Sequence, residues 1–187
     1  MNLRALFLIL FTVSVVFSGT VSALEDDFQD TVAIAQMRGI PIKWDIDANL
    51  ATFVEQADAA GKEHPDIFIT PECWLDGYAA PDEASTRERL MTIAQPLEGS
   101  PYLDKVAELA KKYTMWICFG FSSLEEGKLL NASGLWNREG NLVGVYHKTH
   151  IQTHDRQYDL GMDLPVWDSE WGKLGMMICA DRRWPET

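Results

Sequence analysis

The chain alternates short apolar runs with longer stretches in which apolar residues recur every three or four positions. The runs TVAIAQM at 31–37 and DIFIT at 66–70 are rich in β-branched residues and predict two buried strands. The stretch between them predicts an amphipathic helix that Asp45 or Asp47 caps and that ends near Gly61. Its apolar face is formed by Ile46, Leu50, Phe53, Val54, Ala57 and Ala60.

Two further helices and a third strand follow. Residues 82–93 predict a second helix. Residues 101–113 predict a third, for which Ser100 is the cap and Pro101 takes the first helical position. The run MWICFGF at 115–121 then predicts a third buried strand.

The last third of the chain predicts hairpins. The turns EEGK and REGN separate strands at 129–137 and 142–148, a pattern typical of an antiparallel meander. A final pair of strands at 164–178 is joined around 168–172. Strands and helices in alternation, followed by hairpins, predict one layered α/β domain that no repeat, low-complexity tract or linker divides.

The first 23 residues are predicted to be a secretory signal peptide. Arg4 precedes an apolar run at 5–17, and the small residues at 21–23 match a cleavage site after Ala23. The run is short for a membrane span, and no later run is long enough for one. The mature chain, 24–187, is therefore expected to be exported to the periplasm or secreted, with an uncleaved N-terminal anchor as the alternative.

Charge and cysteine content exclude several functions. The net charge of −12 argues against nucleic acid as a partner, because phosphate binding needs a basic surface. An apolar fraction of 47% is enough for a sizeable core. Three cysteines leave at least one thiol unpaired, and no CxxC pair indicates a zinc or thioredoxin-like site. These features favour a protein that acts on small molecules.

Three polar residues directly follow apolar strands: Glu72, Lys148 and Cys179. In layered α/β folds the ends of strands meet at ligand crevices, so the three are expected to converge. A carboxylate can take the proton of a cysteine thiol, and the resulting thiolate attacks a carbonyl or nitrile carbon. A lysine lowers the thiol pKa and stabilises the oxyanion that forms, for which the N–H of Ala180 would be a second donor. The alternative is that Cys179 is a small core hydrophobe and that the charged residues are solvated strand ends.

The residues around these positions resemble a known family. The stretches ITPECWLDGY, YHKTH and GMMICADRRWPE are similar, in that order, to three signature blocks of the carbon–nitrogen hydrolase (nitrilase) superfamily, and the resemblance covers 31–187. It implies an α/β fold, a four-layer α-β-β-α sandwich of which this chain holds the N-terminal portion, and no metal or organic cofactor. It also implies that Glu72 is the general base and acid, Lys148 the oxyanion stabiliser and Cys179 the nucleophile.

The block after the cysteine indicates a substrate class. CADRRWPE is similar to the corresponding block of N-carbamoyl-D-amino-acid amidohydrolases, in which arginines hold the substrate carboxylate. This resemblance implies that Arg182 and Arg183 form a bidentate clamp on an anionic substrate. The alternative is that they brace the loop by pairing with Asp181 or Glu186. A small amide or N-carbamoyl compound is favoured over a nitrile.

One part of the family pattern is missing. Members usually carry another glutamate between the lysine and cysteine blocks, but HIQTHDRQYDLGMDLPVW contains none. Asp155 is the nearest acidic residue and is predicted to be the supporting acid, while the resemblance places His150 at the rim as a substrate-binding residue. His147, His150 and His154 lie close together in the sequence, so a metal site is a further hypothesis, which the resemblance does not favour.

The NAS sequence at Asn131 matches the pattern of a glycosylation acceptor. This three-residue pattern is too common to decide anything.

In the family, further strands and helices follow the nucleophile and build the second sheet and much of a dimer interface. The domain at 24–187 is therefore expected to be C-terminally incomplete, and the complete protein to form homo-oligomers. The leading hypothesis is a thiol amidohydrolase, and the alternative is a catalytically inactive truncated relic or binding module. A third hypothesis is a redox-active exported protein in which Cys179 pairs with Cys73 or Cys118.

Overall fold

The computed structural model describes residues 31–185. The predicted signal peptide and Glu186 lie outside the described residues. The strands are β1 (Ile34–Gln36), β2 (Ile67–Ile69), β3 (Trp116–Glu125), β4 (Lys128–Trp136), β5 (Leu142–His147), β6 (Val166–Ser169) and β7 (Gly172–Gly175). The α-helices are α1 (Ile46–Gly61), α2 (Arg87–Met91) and α3 (Pro101–Tyr113), and two short 3-10 helices cover Thr153–Asp155 and Cys179–Arg183. Within this part of the chain, no helix is both long and apolar enough to cross a bilayer.

Strands β1 to β5 form one mixed sheet in the order of the sequence. The strand pairs β1–β2 and β2–β3 are parallel, and α1 and α3 lie between their strands in sequence, as parallel crossovers require. The pairs β3–β4 and β4–β5 are antiparallel and build the predicted meander. Strands β6 and β7 form a separate two-stranded hairpin.

The sheet is covered on its two faces by different elements. Helices α1 and α3 pack on one face around a buried core that includes Phe53, Val106 and Phe119. The β6–β7 hairpin packs on the other face, where Trp167, Trp171 and Leu174 contact the group of Ile67, Trp116 and Leu135. The described residues therefore hold one helical layer, one sheet and part of a second sheet. This arrangement confirms the predicted fold class, the N-terminal portion of an α-β-β-α sandwich.

Close packing and ion pairs hold the hairpin against the sheet. A Cβ added at Gly144 on β5 would lie 2.1 Å from the Trp167 indole nitrogen, so only glycine permits this approach. Arg138 donates to Asp66 and to Glu170 at 2.6 Å each, and thereby joins the start of β2 to the turn of the hairpin. These contacts fix the β6–β7 hairpin relative to strands β2 and β5.

Three predicted elements are wrong in extent. The helix predicted at 82–93 is confined to Arg87–Met91, because the Asp82 carboxylate accepts from the Ala84 N–H in a turn and Thr86 is the true cap. The strand predicted at 31–37 is an edge strand of three residues, and Ile34 on it is 59% exposed rather than buried. The last strand ends at Gly175 and not at 178.

Candidate active site

The structure brings Glu72, Lys148 and Cys179 together. Glu72 follows β2, Lys148 follows β5, and Cys179 opens the last 3-10 helix. The Lys148 ammonium lies 2.7 Å from Oε1 of Glu72. Glu72 and Cys179 line the same cavity, and the charge of Glu72 acts on the Cys179 thiol. The convergence expected from three strand ends is therefore present.

The loop that carries Glu72 lies directly on Gly120 of β3. The Gly120 N–H donates to Oγ1 of Thr70 at 2.9 Å, and the Leu75 N–H donates to the Gly120 carbonyl at 3.2 Å. A Cβ at Gly120 would lie 2.4 Å from the Pro71 carbonyl oxygen. Because residue 120 has no side chain, the loop that carries Glu72 can pack directly against the backbone of β3.

Gly120→Ala is expected to displace this loop. Because the added Cβ meets backbone rather than a flexible side chain, overpacking should lower the free energy of unfolding by about 1–3 kcal/mol and reduce kcat. Gly175→Ala is the matched control, since its Cβ meets no atom within 4 Å. Chemical denaturation and an activity assay check both variants; equal stability of the two would contradict the prediction.

Lys148 is fully buried between two carboxylates. Its ammonium donates to Oε1 of Glu72 at 2.7 Å and to Oδ2 of Asp155 at 2.6 Å. Burial by itself would lower the pKa of Lys148, but the bonds to Asp155 and Glu72 outweigh it and the pKa is raised. Lys148 is therefore a permanent cation in a buried site, as an oxyanion stabiliser needs to be.

Asp155 stands beside Lys148, at the place where a second acidic residue was expected. It is fully buried, and its other oxygen accepts a hydrogen bond from the Tyr78 hydroxyl at 3.0 Å. Burial, followed by the charges of Glu72 and Asp155, raises the pKa of Tyr78, so Tyr78 remains a donor. Sequence reasoning missed Tyr78, although it lies in the ITPECWLDGY block.

Asn131 is a second residue that sequence reasoning missed. Its side-chain amide donates to Oε1 of Glu72 at 2.7 Å, so this one oxygen accepts from both Asn131 and Lys148. Asn131 is 1% exposed, which excludes the glycosylation suggested by its NAS sequence in the folded protein. With Oε1 occupied, Oε2 is the oxygen of Glu72 left for proton transfer.

Cys179 has an unusual backbone and a neutral thiol. Its φ of 47° places it in the left-handed region, which is sparsely populated by non-glycine residues and is frequent at active sites. The residue is exposed but the thiol itself is partly buried; this burial and then the charge of Glu72 raise its pKa, although Lys148 acts to lower it. Lys148 acts on the thiol pKa in the expected direction, but burial and the charge of Glu72 outweigh it. Cys179 rests as a thiol and needs a base.

Asp181 organises the segment after Cys179. Its buried carboxylate accepts from the Tyr146 hydroxyl at 2.8 Å, from the His150 N–H at 2.8 Å and from the Ile178 N–H at 3.0 Å. Burial alone would raise the pKa of Asp181, but these bonds lower it. The same bond network holds Ala180, whose N–H was predicted as an oxyanion donor, buried in the first turn of the short helix.

The two arginines after Cys179 do not pair with Asp181. Both Arg182 and Arg183 are exposed, whereas Asp181 is bound by His150 instead. The suggested pairing with Asp181 is thus wrong, because the carboxylate points into the protein. His150 also stacks on the exposed Trp184, with ring centroids 5.1 Å apart. Its predicted place at the rim of the site stays a prediction, since the described lining of the cavity beside Cys179 does not include it.

The histidines and cysteines do not support the metal or disulfide hypotheses. His147 contacts Glu125 at 2.8 Å and His154 contacts the Tyr78 hydroxyl at 3.0 Å, so these two point to different partners. Over residues 31–185, no group of three His, Cys, Asp or Glu side chains has a metal-binding arrangement. Cys73, Cys118 and Cys179 are free thiols. The proposed pairing of Cys179 with another cysteine is absent from this structure.

A buried polar chain lies behind the Glu72 loop. Ser122 donates to Oδ2 of Asp76 at 2.7 Å and contacts the Tyr158 hydroxyl at 2.6 Å. The other oxygen of Asp76 accepts from the Ala79 N–H at 3.2 Å. Burial raises the pKa of Asp76 to about 6 despite these bonds.

This shift predicts a pH-dependent stability. Between the unfolded pKa of 3.8 and the folded pKa of about 6, the native state binds more protons than the unfolded state. The contribution of Asp76 is therefore fully present below pH 3.8 and is lost as the pH rises through 6, by on the order of 3 kcal/mol. Denaturation of wild type and Asp76→Asn across this range should show a difference that changes with pH. Parallel curves would disprove the assignment.

The cavity beside Cys179 has a volume of about 130 Å³. Glu72 and Cys179 form one part of its wall, and Ile69, Cys118, Ser133 and Ile178 are among the residues that form the rest. A thiol and a carboxylate thus line the same cavity, and the buried Lys148 is bound to that carboxylate from outside the lining.

Comparison with known proteins identifies a family. A sequence model of the carbon-nitrogen hydrolase family matches residues 31–187. A probable nitrilase of Schizosaccharomyces pombe is 31% identical over 160 residues, which cover 82% of this chain and 57% of that protein. The omega-amidase NIT3 of Saccharomyces cerevisiae is 29% identical over 171 residues, which cover 83% and 56%.

The fold agrees as well. The crystal structure of Nit3 from Saccharomyces cerevisiae matches with a TM-score of 0.71 at 24% identity, over 83% of this chain and 58% of that one. The chain spans about half the length of the curated relatives that it matches. The match of the family model over 31–187, together with the shared fold, leads to one assignment. The chain belongs to the carbon–nitrogen hydrolase family.

Proposed function

We propose that this chain carries the catalytic centre of a thiol amidohydrolase that cleaves the carbon–nitrogen bond of a small amide or N-carbamoyl compound. The observation that carries the proposal is the arrangement of Glu72, Lys148 and Cys179, with Glu72 and Cys179 on one cavity and Lys148 2.7 Å from Glu72. No one of these residues is diagnostic alone; the trio combines a nucleophile, a base and a buried cation.

In the first half-reaction, Glu72 takes the proton of the Cys179 thiol while the sulfur forms a bond to the substrate carbonyl carbon. The carbonyl oxygen gains negative charge, which the Lys148 ammonium and the Ala180 N–H stabilise. The protonated Glu72 then gives its proton to the nitrogen as the carbon–nitrogen bond breaks. Ammonia or an amine leaves, and a thioester remains on Cys179.

In the second half-reaction, Glu72 removes a proton from water as the water oxygen bonds to the thioester carbon. The carbon–sulfur bond breaks, the acid is released, and the proton returns to the Cys179 sulfur. Asp155 balances the charge of Lys148, and Asn131 holds one oxygen of Glu72. These contacts keep the base oriented through both steps.

The names of several relatives support an amide or carbamoyl substrate over a nitrile. They include an omega-amidase, a deaminated glutathione amidase and a citrullinase. Arg182 and Arg183 remain proposed contacts for an anionic group, and His150 for the substrate at the rim. We also propose that the protein is exported through residues 1–23 and that its complete form is a homo-oligomer.

The proposal is tested by ammonia release. Purified protein is incubated with panels of amides, N-carbamoyl amino acids and nitriles, in parallel with Cys179→Ala. Cleavage of an amide or carbamoyl compound that depends on Cys179 supports the proposal. Equal background in both samples, from a protein shown to be folded, would favour the inactive or binding-module alternative.

A further inference from the structure

We infer that His154, an exposed residue, is a positioning residue for the buried Lys148. It acts through the side chains of Tyr78 and Asp155, which lie between the two. The inference rests on the proposed amidohydrolase function, since it adds a residue that supports the site of that reaction. It is drawn from an unbroken series of hydrogen bonds that joins a surface imidazole to the buried ammonium group.

Three short contacts connect His154 to Lys148. Nε2 of His154 lies 3.0 Å from the Tyr78 hydroxyl. That hydroxyl donates to Oδ1 of Asp155 at 3.0 Å, and Oδ2 of Asp155 accepts from the Lys148 ammonium at 2.6 Å. Nε2 also lies 3.6 Å from Oδ1 of Asp155, which is beyond hydrogen-bond length, so the Tyr78 hydroxyl is the direct partner of the imidazole.

The Tyr78 hydroxyl has one proton and two neighbours. A tyrosine hydroxyl donates one hydrogen bond, whereas an ionised carboxylate only accepts. The proton is therefore committed to Asp155 only when His154 presents an Nε2–H and donates it to the Tyr78 oxygen. An imidazole nitrogen without a proton would compete with the carboxylate for the same hydroxyl proton. His154 thus sets the direction of the bond that Asp155 receives.

The direction of that bond matters because Asp155 holds Lys148. Asp155 is fully buried, and its two oxygens have different partners. Loss of the bond from Tyr78 would leave one oxygen without its donor inside the protein, and the carboxylate would turn towards the ammonium group instead. The ammonium, which also donates to Glu72 at 2.7 Å, would then leave the place at which it meets the oxyanion in the proposed reaction.

The backbone separates His154 from the substrate while keeping it in contact with this series. His154 and Asp155 are neighbours in the 3-10 helix Thr153–Asp155, and one side chain is half exposed while the other is buried. The ring of Tyr78 stands almost at right angles to the imidazole, with centroids 6.1 Å apart. The imidazole lines a surface cleft that shares no described lining residue with the cavity beside Cys179. We therefore expect its effect in kcat and not in substrate binding.

The inference is tested by replacing His154 with side chains that differ in hydrogen bonding. His154→Gln keeps an N–H donor, His154→Met has none, and His154→Glu only accepts. With the full chain and butyramide as the probe amide, kcat should stay within about twofold of wild type for glutamine, fall by about three- to tenfold for methionine and fall by more than about tenfold for glutamate. KM should stay within about twofold in all three, since the effect is exerted through Lys148 in the transition state.

Two controls test the route. His64→Gln changes an exposed histidine that precedes β2, whereas Glu72 follows that strand, so kcat should be unchanged. In a Tyr78→Phe background, His154→Met should have no further effect on kcat, because the hydroxyl through which it acts is gone. Equal losses in His154→Gln and His154→Met, wild-type kcat in His154→Met, or independent losses in the double variant would each overturn the inference.

A measurement without turnover separates the inference from the proposed function. The Lys148 ammonium is buried and hydrogen-bonded, so its protons can be followed in proton–nitrogen NMR correlation spectra, with Lys148→Met to assign the signal. The signal should move in His154→Met and His154→Glu and keep its wild-type position in His154→Gln and His64→Gln. This pattern without any ammonia release would count against the proposed function alone. A signal at the same position in all variants would overturn the inference, whether or not amides are cleaved.

Discussion

Replacing Cys179 with alanine is expected to lower the rate of ammonia release by about 10⁴-fold or more. The variant keeps the cavity and the Glu72–Lys148 pair but has no atom that can form the thioester. The loss should appear in kcat, because the removed bond exists only along the reaction path. The folded state should be unaffected beyond a small change, since alanine keeps the backbone and Cys179 is exposed.

Matched variants separate chemistry from structure. Cys179→Ser keeps the shape and has a much weaker nucleophile, so it should be almost as impaired as alanine. Cys73→Ser changes a buried thiol whose sulfur contacts the Tyr158 hydroxyl at 3.7 Å, and it should retain activity within about threefold. A Cys73 variant as inactive as Cys179→Ala would show that folding, rather than the nucleophile, had been measured.

The raised pKa of Cys179 adds a test that needs no substrate. Alkylation by iodoacetamide requires the thiolate, so its rate should continue to rise with pH above 9, the ordinary pKa of the group. Removing the charge of Glu72 in Glu72→Gln should move the midpoint to lower pH, because that carboxylate raises the pKa. A midpoint that moves upward would contradict the assigned effect of the Glu72 charge on the thiol.

Lys148→Met is expected to combine a loss of activity with a loss of stability. Methionine fills the space of the lysine stem but leaves two carboxylates, Glu72 and Asp155, without their cation. Removing one partner of a buried ion pair typically costs about 3–5 kcal/mol. Activity should be lost with it, because the oxyanion loses its charged partner.

Two controls define the origin of the effect. Lys173→Met removes an exposed lysine that pairs with Asp168, and it should change the free energy of unfolding by less than about 1 kcal/mol. The double variant Lys148→Met with Asp155→Asn should regain much of the stability but none of the activity. Recovered activity in the double variant would show that Lys148 serves the fold alone.

The sequence predicted the regular elements well where the pattern was periodic. Helices α1 and α3 form where both apolar faces repeat at helical spacing, and Ser100 is the expected cap of α3. Of the two caps expected for α1, Asp45 and Asp47, the structure has Asp45. The helix expected at 82–93 was too long, since a turn at Asp82 competes locally with helix formation. Periodicity does not register such side-chain competition.

The sequence did not allow us to predict the residues that position the candidate catalytic side chains. Asn131 contacts Glu72 across 59 positions, and Tyr78 contacts Asp155 across 77. Their roles depend on the register of β4 and on a left-handed turn at Tyr78, where φ is 49°. The exposure of Arg182 and Arg183 was equally hidden, since it follows from Asp181 turning inward to Tyr146 and His150.

The order of strands in the sheet bears on how the protein folds. The meander of β3, β4 and β5 pairs segments that are joined by short turns, whereas the Lys148–Glu72 contact joins residues 76 positions apart. Local contacts form faster than distant ones, because less chain entropy is lost on closing the loop. We expect the meander to form early and the proposed catalytic residues Glu72 and Lys148 to meet late. Activity regained during refolding would then follow the last docking event rather than the growth of the sheet.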